Sequence, residues 1–152
     1  MNPKPAATIY AEDVNYWRTS QRDPESWLDM ATRQIEDVGG RLLRVAAVTE
    51  SARAGFMMEF DLDGNRFRLL WPVLRSVTGD VKSARRQAAT ALYHDVKARC
   101  LAVKFIGARA AFFAFLELAD GRVAGQLAGD EMAEGLPALF GPRALPQGRT
   151  EP

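Results

Sequence analysis

The stretch Gly55–Trp71 (GFMMEFDLDGNRFRLLW) decides the fold. Phe56, Met58 and Phe60 alternate with Met57 and Glu59. After Asp63-Gly64 the alternation resumes, with Phe67, Leu69 and Trp71 on one face and Arg66 and Arg68 on the other. A period of two is the strand period. Asp-Gly between two such runs is a strong hairpin signal, because a tight two-residue turn asks for positive φ at both positions. The sequence therefore predicts strands over Gly55–Asp61 and Asn65–Trp71 joined through Leu62–Asn65. Pro72 ends the second strand, since it has no N–H to give to a ladder. The phenylalanine face is expected to be buried, and the face with Glu59, Arg66 and Arg68 to be partly wet.

Upstream, Arg41–Val48 is rich in apolar and β-branched residues and reads as a third strand. Before it lies a helix over Pro24–Val38. Asp23 is a candidate N-cap, Pro24 suits the first helical position, and Leu28, Ala31, Ile35 and Val38 recur at spacings of three and four beside Trp27. Gly39-Gly40 is the stop signal. Ala11–Arg18 reads as a short helical turn, with Tyr10, Tyr16 and Trp17 folding back on the core.

Downstream, a polar stretch Arg75–Asp80 leads to Val81–Ile106, a run without Gly or Pro that predicts one long helix closed by Gly107. Its apolar stripe is Ala89, Leu92, Val96, Cys100 and Val103, which should pack on the sheet. Arg109–Leu118 (RAAFFAFLEL) is ambiguous: Phe112, Phe113 and Phe115 favour a strand and the alanines allow a helix, with a strand before the turn at Asp120-Gly121 the preferred reading. Gly129–Phe140 reads as a short terminal helix or turn broken at Pro137. The fold class is α+β: an N-terminal helix, a three-stranded antiparallel meander, a long basic helix, and a small C-terminal strand/helix unit. Residues 11–140 are expected to form one domain, with a flexible N-terminus over 1–10 and a disordered Pro- and Gly-rich tail over 141–152.

Composition narrows the function classes. The 152 residues include one Cys and one His, so an internal disulfide and a zinc site of ~4 nitrogen or sulfur ligands are excluded. No run approaches the ~18–20 apolar residues of a membrane span, and no basic start leads into an apolar signal segment. With the lone Cys100, this gives an expectation of a cytoplasmic protein without a membrane partner. A Ser-His-Asp enzyme would have to use His94. His94 precedes Asp95, but a surface or boundary histidine is the plainer reading. Glu59, Asp61 and Asp63 could gather a divalent cation for nuclease chemistry, although the turn explains Asp63. Cys100 falls on the apolar stripe and reads as a buried, inert thiol. No phosphate-cradling glycine loop is present. No catalytic residue, metal or cofactor is assigned.

The net charge of +1 conceals an asymmetry. Asp23–Asp63 carries nine acidic and four basic side chains, a net −5, while Val81–Arg109 carries seven basic and one acidic, a net +6. At ~100° per residue, Arg86, Tyr93, Lys97 and Lys104 fall within about 40° of one another, with Lys82 nearby. Cations with an aromatic ring among them suit a phosphate backbone, the ring being available to stack on a base. The plainer alternative is the solvated face of an amphipathic helix.

Phe60–Pro72 (FDLDGNRFRLLWP), the helix Arg86–Lys104 (RQAATALYHDVKARCLAVK) and Phe112–Leu127 (FFAFLELADGRVAGQL) occur in an order that resembles a group of small uncharacterised proteins encoded by phages, prophages and mobile elements. The resemblance spans about Ser26–Phe140 and implies that biological context without implying a mechanism. Tyr93-His94-Asp95 and Ala124 depart from the group's pattern. The helix–three strands–helix order is also that of double-stranded-RNA-binding domains and of the core of strand-annealing recombinases, an analogy at the level of fold alone. The expected function is a non-enzymatic accessory protein that contacts DNA or RNA through Arg66, Arg68, Lys82, Arg86, Tyr93, Lys97 and Lys104. The alternative is an adaptor or inhibitor of a host or phage protein. It would act through Tyr10, Tyr16, Trp17 and the acidic stretch Glu50–Asp63.

Overall fold

Asp63 and Gly64 take φ of 53° and 77°, the two left-handed positions of a type I′ turn, and close the hairpin at the Leu62–Asn65 pair. A computed structural model describes residues 8–50 and 53–127. In it β2 (Arg53–Leu62) lies between β1 (Arg41–Glu50) and β3 (Asn65–Pro72), antiparallel to both. The meander is the one expected, and each strand runs slightly beyond its alternating segment. A bulge between Leu42 and Arg44 shifts the register of β1. Cross-strand pairing puts Arg44, Glu59 and Arg68 in one row of the outer face and Arg41, Asp61 and Arg66 in the next.

The inner face carries Phe56, Met58, Phe60, Phe67 and Leu69, all but sealed from solvent. Two helices cover it. α1 (Pro24–Asp37) contributes Leu28, Ala31 and Ile35, and α2 (Val81–Ile106) contributes Ala89, Leu92, Val96 and Cys100. The helices run in the same direction. Asp23 approaches Arg86, Trp27 packs on Tyr93, and Asp37 shares a groove with Cys100 and Lys104. Asp23 occupies the N-cap of α1 by backbone conformation, but its side chain makes no cap hydrogen bond. The side chain leans instead towards Arg86, with Oδ1 3.7 Å from the guanidinium. The α2 cap is Asp80, whose carboxylate accepts from the Ser83 N–H.

Arg109–Leu118 is not the strand that its phenylalanines suggest. Ala108–Ala111 forms a single helical turn, α3, and Phe113–Phe115 a 3-10 turn. Only single bridges follow, Leu116 to Phe67 and Glu117 to Val123. Helical spacing wins because it turns Ala108, Ala111 and Phe112 together into the core, where a strand would send Ala111 and Phe112 to opposite faces. Phe112 then completes a ring cluster with Phe60 and Phe67, with centroids 5.2–5.7 Å apart. The Asp120-Gly121 turn forms, with Gly121 at φ 89°.

The N-terminal arm is helical only over Ala11–Asp13. Side-chain hydrogen bonds from both directions help to fasten it. The Glu12 carboxylate accepts from the Ser76 hydroxyl (2.6 Å), the Val77 N–H (3.0 Å) and Thr78. Gln87 of α2, buried beneath the arm, donates from Nε2 to the carbonyls of Ala11, Val14 and Asn15. Trp17 packs against the core and Tyr16 stacks on His94. Among the described residues no helix is long and apolar enough to cross a membrane. The expectations for the first seven residues, for Gly129–Phe140 and for the tail fall outside the described residues.

Candidate nucleic-acid interface

α2 presents two kinds of cation, and the structure separates them. Its arginines are engaged with the fold. Arg85 lies over the Phe56 ring at 5.1 Å, and Arg99 bonds Asp95 at 2.7 Å and the Ala111 carbonyl while covering Phe115. Arg86 keeps only 19% of its side chain exposed beside Asp23, and its Nε is buried without a hydrogen-bond partner. The planar guanidinium suits such packed, multidentate roles. Lys82, Lys97 and Lys104 are exposed and have no ion-pair partner among the described residues. They lie within about 60° of one another around the helix. The rise of ~1.5 Å per residue places Lys97 and Lys104 roughly 10 Å apart, with Lys82 a further ~22 Å back along the axis.

Tyr93 lies on the same line but points inward. It is 7% exposed and packs on Trp27 at 5.3 Å, so its ring is not presented to a ligand. The wheel that grouped it with the lysines ignores α1, which lies across this part of α2. An exposed aromatic side chain on this helix is Phe105, 80% exposed next to Lys104. Phe105 follows directly on the last lysine of a helix whose apolar stripe lies elsewhere, and that signal was readable in the sequence.

Arg66 and Arg68 do lie on the outer sheet face, but both are tied. Arg66 bonds Asp61 through Nε at 2.9 Å, and Arg41 reaches the same carboxylate. These two guanidinium groups hold the Asp61 carboxyl below its ordinary range. Arg68 donates to the Gly121 carbonyl at 2.8 Å and faces Glu117 at 3.7 Å. Glu117 comes from the segment that follows α3 and lies beside Glu59. Burial, together with the neighbouring Glu59 carboxyl, raises its pKa to about 7. The outer face is thus a lattice of alternating charge that largely neutralises itself. Met57 is buried on this side, with the Arg44 guanidinium 3.6 Å from its sulfur.

The other candidate chemistry is dispersed. Asp95 is bound by Arg99, while His94 stacks on Tyr16 with centroids 5.1 Å apart. Among the described residues no group of three His, Cys, Asp or Glu side chains is placed to hold a metal ion. Cys100 is buried, and desolvation raises its thiol to about 11, well away from thiolate reactivity.

No family model, curated protein or solved structure matches the chain.

Proposed function

We propose that this chain is a non-enzymatic, nucleic-acid-associated accessory protein of phage or mobile-element biology that meets a phosphate backbone along α2. The observation that carries the reading is the division of labour on that helix. Its arginines hold the fold, while Lys82, Lys97 and Lys104 are exposed and have no ion-pair partner among the described residues. The α–β–β–β–α order with both helices on one face of the sheet is in keeping with it, by analogy of fold alone.

Fluorescence anisotropy with a labelled oligonucleotide over a salt series tests the reading. Three lysine contacts give a slope of log K against log[salt] of about −2 to −3, whereas Arg66, Arg68 and Arg86 added to them would give about −5. Lys97→Ala with Lys104→Ala should flatten the slope by roughly two-thirds, and Arg66→Ala should leave it unchanged. No binding at ~50 mM salt rejects the reading.

The second reading, a protein-binding adaptor, is favoured by a different observation. Leu101, Phe105 and Ile106 are 58%, 80% and 61% exposed at the end of α2, the kind of apolar patch that partners cover. The aromatic contacts first expected for it are engaged elsewhere: Tyr16 with His94 and Trp17 with the core. Phe105→Ser with Ile106→Ser should abolish capture of a partner that survives nuclease treatment, while the lysine variants leave it intact.

A further inference from the structure

Between the second half of α1 and α2 lies an open groove of about 410 Å³, within the size range of small-ligand sites. Its position follows from the arm. Ala11–Tyr16 covers one face of α2 as far as His94, where Tyr16 (φ 73°) and Arg18 (φ 56°) turn the chain away. Past His94 the described part of the arm no longer covers that face. Val38, Ala98 and Leu101 give the groove an apolar lining. The α2 wall carries Lys97 and Lys104, and the α1 wall carries Gln34 and Asp37.

This polarity is directional. The lysine wall attracts phosphate, and a carboxylate and an amide stand opposite. A nucleobase in a single strand has matching parts: an apolar face, a polar edge, and a phosphate on either side. A base within a duplex has its face stacked and its edge paired, and cannot enter. We propose that the groove takes one unstacked base of a single-stranded nucleic acid, with flanking phosphates on Lys97 and Lys104 and the amino edge of the base on Asp37 and Gln34. The proposal rests on the nucleic-acid reading above and adds strand state and base preference to it. A carboxylate only accepts hydrogen bonds, so it favours an exocyclic amine over a carbonyl. Cytosine presents the amine, and thymine presents a carbonyl at the same place.

The test is anisotropy of the full chain with oligo(dC), oligo(dT) and a duplex of equal length at ~50 mM salt. Oligo(dC) should bind about tenfold more tightly than oligo(dT), and both more tightly than the duplex. Asp37→Ala should bring the two pyrimidine strands together while keeping the salt slope. Ala98→Phe, at an exposed helix position, should fill the groove and remove the preference without unfolding the chain, as circular dichroism will report. Equal or tighter binding of the duplex overturns this proposal and leaves the broader reading standing, as does a cytosine preference that survives Asp37→Ala. Absence of binding to all three overturns both.

Discussion

Gln87 shows how one side chain can fix a segment that has little structure of its own. Its amide nitrogen lies 2.7–3.1 Å from three carbonyls of the arm, and the residue is 3% exposed. The amide carries two hydrogens, so one of them is shared. Gln87→Leu keeps the volume but removes the donors, leaving covered carbonyls without partners. The expected loss is about 1–3 kcal/mol, read as a lower urea midpoint with an unchanged m-value if the arm stays in place. A smaller m-value for the variant would mean that the arm has come free. Nothing in the local sequence announces Gln87. A polar residue within an apolar-rich helix reads as solvent-facing until the arm is placed over it.

The elements themselves were largely legible. Asp63-Gly64 and the two alternating runs specify the hairpin because turn chemistry and side-chain period agree, and Gly107 ends α2 where expected. The small unit after Gly107 is ambiguous in the sequence because Phe112, Phe113 and Phe115 satisfy strand propensity, while the contacts that select a helical turn come from Phe60 and Phe67, more than forty residues away. Spacing alone leaves the residues of the candidate interface unsorted for a related reason. A helical wheel treats Arg86 and Tyr93 as equivalent to Lys97 and Lys104, and only the placement of α1 separates them. Strand pairing makes one demand that spacing alone did not reveal. A Cβ on Gly55 would sit 2.8 Å from the Trp71 carbonyl oxygen, so β2 and β3 must part to admit any side chain. Gly55→Ala should cost on the order of 1–3 kcal/mol by overpacking, measurable as a fall in Tm with the hairpin's amide protection lost first.

For the molecule as a whole, three carboxyls shape stability against pH in opposite directions. Hydrogen bonds from the Ser76 hydroxyl and the Val77 and Thr78 amides hold Glu12 down at about 2, and the Ser83 amide with Arg18 does the same for Asp80. Their support is present above the ordinary carboxyl range and fades as pH falls from about 4.5 towards 2. Glu117 works the other way. Its folded pKa is raised from 4.5 to about 7, so the folded state binds the extra proton between those values, and stability declines as pH rises through that window. Glu117→Gln should therefore raise Tm more at pH 8 than at pH 4, as thermal melts at both will show. An equal shift at the two would place the effect outside ionisation. The segment through Leu116 and Glu117 bonds to the outer side of β3, whereas among the described residues β1 has a neighbour only in β2. Among the described residues the β1 edge is therefore the one with no segment bonded along it. An incoming strand there meets a bulge and the charges of Arg41 and Arg44, features that discourage edge-to-edge growth. Replacing those two arginines with apolar residues should turn this sheet margin into a template for self-association.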